Sequence, residues 1–128
     1  MNDWTKPTSC AAFWIVLLTT SECGLWAADK IDFNKRIRPL FQERCYKCHG
    51  PDKQESGLRL DKRQEALAGG ETGPAIVPGD NTSGLLLRNV QSDDAEQVMP
   101  PQGDRLTEEQ IELLKKWIED GAEWPKEE

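Results

Sequence analysis

Cys45-Tyr46-Lys47-Cys48-His49 sets two thiols three positions apart and places an imidazole directly after the second. His49 is the only histidine in the chain, so the soft and titratable side chains converge on these five residues. The spacing is the attachment signature for c-type haem. Two thiols add to the two vinyl groups of the porphyrin, and the adjacent histidine then reaches the iron from one face. A two-residue gap lets one turn of chain present both sulfurs along the macrocycle edge. Other chemistries use the same side chains. Structural zinc wants four protein ligands, and with Cys10 and Cys23 in an N-terminal leader its missing donors would have to be carboxylates. Thiol–disulfide exchange would make Cys45 a nucleophile of lowered pKa, usually on a strand-then-helix unit, and no strand pattern precedes the motif. A local disulfide would leave His49 without a role.

A haem iron held by His49 needs a sixth ligand or an open position, and Met99, a lysine amine or water could fill it. Met99 lies 50 residues after His49 and directly before Pro100-Pro101. The residue before a proline is pushed towards extended backbone, and two prolines stiffen the chain beyond it, so a thioether there is held at little entropic cost. A soft thioether favours ferrous iron and raises the reduction potential. With Met99 bound, the chemistry is one-electron transfer. With the position open, it is ligand binding, sensing or a peroxidase-like reaction. A haem-free thiol module is a third class. Arg59, set between Leu58 and Leu60, suits a partly buried haem propionate, or equally an ion pair that braces a loop.

The apolar run of residues 10–20 comes after a polar start with Lys6 and precedes Leu25-Trp26-Ala27. That length suits the core of a signal peptide and falls short of the roughly 20 residues that span a bilayer. We expect residues 1–27 to be a cleaved export signal and residues 28–128 to be one periplasmic or otherwise exported domain; an uncleaved anchor and a buried helix are the alternatives. Removing the leader takes away one lysine and two acids, leaving 15 basic and 21 acidic side chains. Such a surface, with no basic cluster, argues against nucleic acid and against anionic membranes. It suits redox partner proteins, including a larger membrane or periplasmic one, and no membrane span is expected after cleavage.

The elements that must position the motif read as helices. Phe33, Ile37, Leu40 and Phe41 form one apolar face between Asp32 and Cys45, with a kink or a fresh start expected at Pro39. Asp61 is placed to cap a short helix that runs through Ala68 and stops at Gly69-Gly70, and Asn81 to Val90 predicts another. In the last helix Thr107 and Gln110 make a capping box, and Leu106 and Ile111 a hydrophobic staple. Its buried face is Ile111, Leu113, Leu114, Trp117 and Ile118, with Gly121 just past its end. Leu114 and Trp117 are core residues by default and haem contacts as an alternative. No run alternates for long enough to make a strand, so the fold class is all-α with long ordered loops.

Together these residues resemble the planctomycete-type cytochrome c domain. The likeness is carried by Ile37-Arg38-Pro39-Leu40-Phe41, the haem motif through Gly50-Pro51-Asp52, and Ser56 to Asp61. Gly73 to Asp80, Met99-Pro100-Pro101 and Leu106 to Pro125 carry it further, so that it spans nearly the whole of residues 28–128. The resemblance implies a small class I-like cytochrome c fold, in which the N- and C-terminal helices pack around one covalent haem c with His49 and Met99 as axial ligands. By likeness to the Gly-Pro loop of class I cytochromes, it implies that the Pro74 carbonyl accepts the other ring N–H of His49. Domains of this kind typically stand at the front of larger multidomain proteins, so the resemblance fits a stand-alone carrier or a piece of such a protein.

Overall fold

The computed structural model describes residues 29–126, so the expected leader and its boundary after Ala27 lie outside the described residues. A π-helical turn, Phe33–Ile37, runs into α1, Arg38–Arg44, and the haem motif makes α2, Tyr46–His49. A 3-10 turn at Glu55–Gly57 leads to α3, Arg63–Ala68, then α4, Leu85–Val90, and α5, Glu108–Glu119. Among the described residues there is no strand, only isolated bridges such as His49 to Gln54, which agrees with the all-α expectation.

Pro39 breaks the first helix by changing its pitch. Proline cannot donate to the carbonyl four residues back and its ring crowds that carbonyl. The chain answers with a wider turn in which the Arg38 N–H reaches the Phe33 carbonyl, and a new α-helix starts with Pro39 in its first turn. Asp32 caps the π turn by accepting the Lys35 N–H at 3.1 Å. Phe33, Ile37, Leu40 and Phe41 are all buried, as their spacing predicts.

α5 conforms closely to its sequence signals. The Gln110 N–H donates to Thr107 Oγ1 at 3.3 Å, and the Thr107 N–H donates to Gln110 Oε1 at 3.0 Å. At the other end Gly121 takes a positive φ of 98°, which glycine adopts without strain. The Gly121 N–H then reaches the Ile118 carbonyl and the Ala122 N–H the Trp117 carbonyl, at 3.0 and 2.8 Å. This is a Schellman closure, with Ala122 buried beside the helix it ends. The chain folds back so that Trp124 stacks on Phe33, ring centroids 4.1 Å apart. Trp117 meets Phe33 at 5.7 Å and Phe41 edge-on at 6.0 Å. These rings join the two ends of the chain into one core that runs from Phe33 to Trp124.

Two middle elements differ from expectation, because a side chain found a stronger local partner than a helix end. Asp61 does not cap α3, whose N-cap is Lys62 with no side-chain bond. Its two carboxylate oxygens instead accept Arg59 Nε at 2.9 Å and Nη2 at 2.6 Å. α4 begins at Leu85 and not near Asn81, because the Asp80 carboxylate accepts the backbone N–H groups and hydroxyls of Thr82 and Ser83 and holds them in a turn.

The Arg59 pairing has a pH consequence. Hydrogen bonding from Arg59 first, then its charge, holds the Asp61 carboxyl below the usual range. The pair therefore stabilises the fold fully above the unfolded carboxyl pKa of about 3.9, and this is lost as pH falls through the lower folded value. Asp61→Asn is expected to cost about 1 kcal/mol, near the top of the range for exposed pairs because both side chains are mostly covered. Urea midpoints of parent and variant should differ by a constant amount from pH 7 to 5 and converge below about pH 4. A difference unchanged by acid would mean that the ion pair is not its source.

Candidate haem site

α1 delivers the motif and α2 shapes it. The Cys45 N–H still bonds the Phe41 carbonyl at 2.8 Å, but Cys45 leaves helical geometry at φ −123°, ψ −41°. One fresh turn comes next, in which the Cys48 and His49 N–H groups bond the Cys45 carbonyl at 3.1 and 2.9 Å. A single turn places residues three and four apart on one face, so both sulfurs and the imidazole share a side. The His49 carbonyl accepts the Leu60 N–H at 2.8 Å, and the Gly50 carbonyl accepts Gln54 Nε2 at 2.7 Å, which pins the end of the turn.

That face lines a cavity, part of it open to solvent. Cys45, Cys48, His49 and Met99 all line it. Much of the wall is apolar, with Leu58, Leu60, Leu85, Leu86, Val90 and Leu106, and no aspartate or glutamate takes part. Met99 arrives from the far side of the chain. Its N–H donates to the Asn89 carbonyl at 3.1 Å, which ties the Met99 segment to α4.

Other predicted residues lie elsewhere. Pro74 does not line the cavity, and its carbonyl accepts the Leu85 N–H at 3.1 Å; the structure does not join it to His49, whose Nδ1 is buried without a hydrogen-bond partner. Arg59 is not in the wall either, and of its two readings the structure shows the bracing ion pair. Leu114 and Trp117 belong to the core, and α5 contributes no lining residue at all. The C-terminal helix supports the wall from behind through the aromatic cluster. Arg44 and Asn89 are among the polar lining residues that the sequence did not single out. Arg44 lies seven residues after Ile37 and three after Phe41, a polar side chain in register with an apolar stripe, and Asn89 lies four residues after Leu85 and three after Leu86, also in helical register.

Residues 45–103 match the planctomycete cytochrome c family. Over that stretch, a little under half of the chain, the protein is similar to that family. Domains of this family bind haem c covalently, act in electron transfer and are typically exported. The match takes in the motif, the glycine-rich loops and the Met99 segment, and leaves the terminal helices outside, so it is narrower than the resemblance read from the sequence. No curated protein and no solved structure matches the chain. Among the described residues no helix is long and apolar enough to cross a membrane.

The residues that line the cavity suit a haem. Two thiols, an imidazole and a thioether face one largely apolar cavity, and the thiols are not joined to each other. Burial pushes the Cys45 thiol up to about 12, against a smaller opposing effect from Arg44, which is the reverse of an activated exchange thiolate. Among the described residues no three histidine, cysteine or carboxylate side chains are grouped so that they could hold a metal ion between them, which disfavours a closed zinc site.

The loop after α3 forms part of the wall and depends on glycine. Gly69 caps α3 at φ +81°, and a Cβ there would lie 1.8 Å from the Gly73 carbonyl oxygen. Gly69→Ala combines left-handed strain with a backbone collision, so we expect it to cost about 2–4 kcal/mol and to loosen the wall. Thermal unfolding of the purified variant checks this. A loss under about 0.5 kcal/mol would mean that the turn has room to move.

Proposed function

We propose that this domain is a one-electron carrier with a single haem per chain, joined to Cys45 and Cys48 through thioether bonds and ligated by His49 and Met99. What carries the reading is that these four side chains, brought from positions 45–49 and 99, line one cavity with a largely apolar wall and no carboxylate. Bound haem would supply a ferric/ferrous couple. The protein's part is to hold it. Cys45 and Cys48 fix the macrocycle edge, His49 is presented by a turn whose carbonyl is already bonded, and Met99 is tethered through Asn89. The leucines would keep water away from the bound group, and a thioether and an imidazole as ligands would favour its reduced state. Acid–base chemistry on a substrate finds no second histidine and no carboxylate in this wall, which favours a carrier over a peroxidase-like reaction.

Export by the N-terminal apolar segment and a class I-like arrangement around the haem complete the proposal. Its partners are redox proteins, basic ones by charge complement to an exported domain with 15 basic and 21 acidic side chains. The test is to express the chain with its leader and a haem-attachment system, denature it, and weigh it. One haem per chain should stay attached, and Cys45→Ala with Cys48→Ala should lose it. A denatured parent with no retained haem would remove the carrier reading and leave a thiol module in its place.

A further inference from the structure

Three buried polar atoms without a hydrogen-bond partner gather at the cavity: Arg44 Nε, His49 Nδ1 and Asn89 Oδ1. The fourth such atom among the described residues, Trp124 Nε1, lies in the core and away from the wall. Each unmet group costs about 1–3 kcal/mol, so three at one cavity mark a place where the polar atoms of an occupant would be met. Only one of the three belongs to a fixed cation. Arg44 sits on the apolar stripe of α1 directly before Cys45, with its side chain 21% exposed. Its terminal nitrogens are engaged by the protein: Nη1 donates to the Asp104 carbonyl at 3.3 Å, and Nη2 lies 3.3 Å from Glu43 Oε1. The Nε–H is left over, in a wall with no acid to receive it.

We propose that Arg44 anchors a propionate carboxylate of the haem through its Nε–H, the role that Arg59 suggested from sequence. The inference rests on the haem reading of this cavity. Arg59 gives Nε and Nη2 to the two oxygens of Asp61, outside the wall. A guanidinium is the natural partner for a carboxylate in a partly dry site, because it stays charged and its donors are fixed in direction. Arg44 is a positioning residue as well as an anchor. Through Nη1 it holds Asp104, five residues beyond Met99, so propionate binding and the placement of the Met99 segment share one side chain.

The test uses the haem-loaded protein with Arg44→Gln, Arg44→Lys and Arg59→Gln. Resonance Raman should show the propionate-bending band shifted in Arg44→Gln and unmoved in Arg59→Gln. The reduction potential should fall in Arg44→Gln, since a nearby cation disfavours ferric iron, and recover in Arg44→Lys while the band stays shifted. A band unmoved by Arg44→Gln, or moved as far by Arg59→Gln, overturns the anchor alone. A second measurement needs no variant. In the ferrous parent the Arg44 Nε–H should exchange slowly and show a nuclear Overhauser contact to a propionate methylene, and rapid exchange without that contact overturns the anchor. An unsubstituted protein that retains no haem overturns the haem reading, and the anchor with it.

Discussion

Met99→Ala in the haem-loaded protein is expected to keep its haem and lose the low-spin ferric spectrum of the parent. Attachment depends on Cys45 and Cys48, and the proximal ligand on His49, none of which the substitution touches. The thioether is the group that would fill the iron's sixth position in the proposed carrier. Without it the ferric iron turns high-spin, binds cyanide readily and loses the sulfur-to-iron charge-transfer band. Removing a ligand that favours ferrous iron also lowers the reduction potential. The cost in stability is smaller, about 1–2 kcal/mol, because Met99 is only partly buried and packs at the edge of the core. That loss should be felt around residues 95–105, where the Met99 N–H and the Asn89 carbonyl make the tie to α4. Absorption spectra with and without cyanide, and a redox titration, check the prediction. A variant with the parent's spectrum and potential would make Met99 a loop residue and give the sixth position to a lysine or to solvent.

What could be read from the residues divides along a physical line. α5 was legible because every signal for it is local. Thr107, Gln110 and Gly121 act within one turn of themselves, and the apolar face from Ile111 to Ile118 needs only a core to point at. The haem motif was legible for the same reason, since its geometry is one turn of helix. Asp61 and Asp80 show where such reading fails. Either could cap a helix, but Asp61 lies two residues from an arginine that fits both its oxygens, and Asp80 precedes two hydroxyl residues that bond it. The outcome rests on a competition between near neighbours worth about 1 kcal/mol a side, which residue type alone does not decide. The polar residues of the wall were harder still. Arg44 reaches the cavity because α1 carries it there beside segments distant in sequence, and Pro74 faces Leu85 because α4 starts four residues later than its pattern suggests.

Trp117→Ala should bring the largest loss of stability of any single change here, about 3–5 kcal/mol, while leaving the colour of the folded protein unaltered. Trp117 is 1% exposed and touches three other rings, Phe33, Phe41 and Trp124, at centroid distances of 5.7, 6.0 and 5.8 Å. These are the rings that join the first helical segment to the last, so the deletion opens a cavity where the two ends of the chain meet. Its indole N–H also donates to the Glu123 carbonyl at 2.9 Å and helps return Trp124 to the core. Against a total stability of about 5–15 kcal/mol, such a loss would leave a domain at the low end of that range partly unfolded at room temperature. Trp117→Phe separates the two contributions. It keeps a ring in the cluster but leaves the Glu123 carbonyl unpaired, and should cost about 1–3 kcal/mol. Urea unfolding of the haem-loaded variants gives both numbers, with the denaturant slope unchanged if the unfolded state is the same. The spectrum settles where the residue acts. Trp117 does not line the cavity, so the low-spin ferric spectrum should persist in whatever fraction stays folded. A stable Trp117→Ala protein with an altered spectrum would mean the reverse, that this ring serves the haem and the core is held elsewhere.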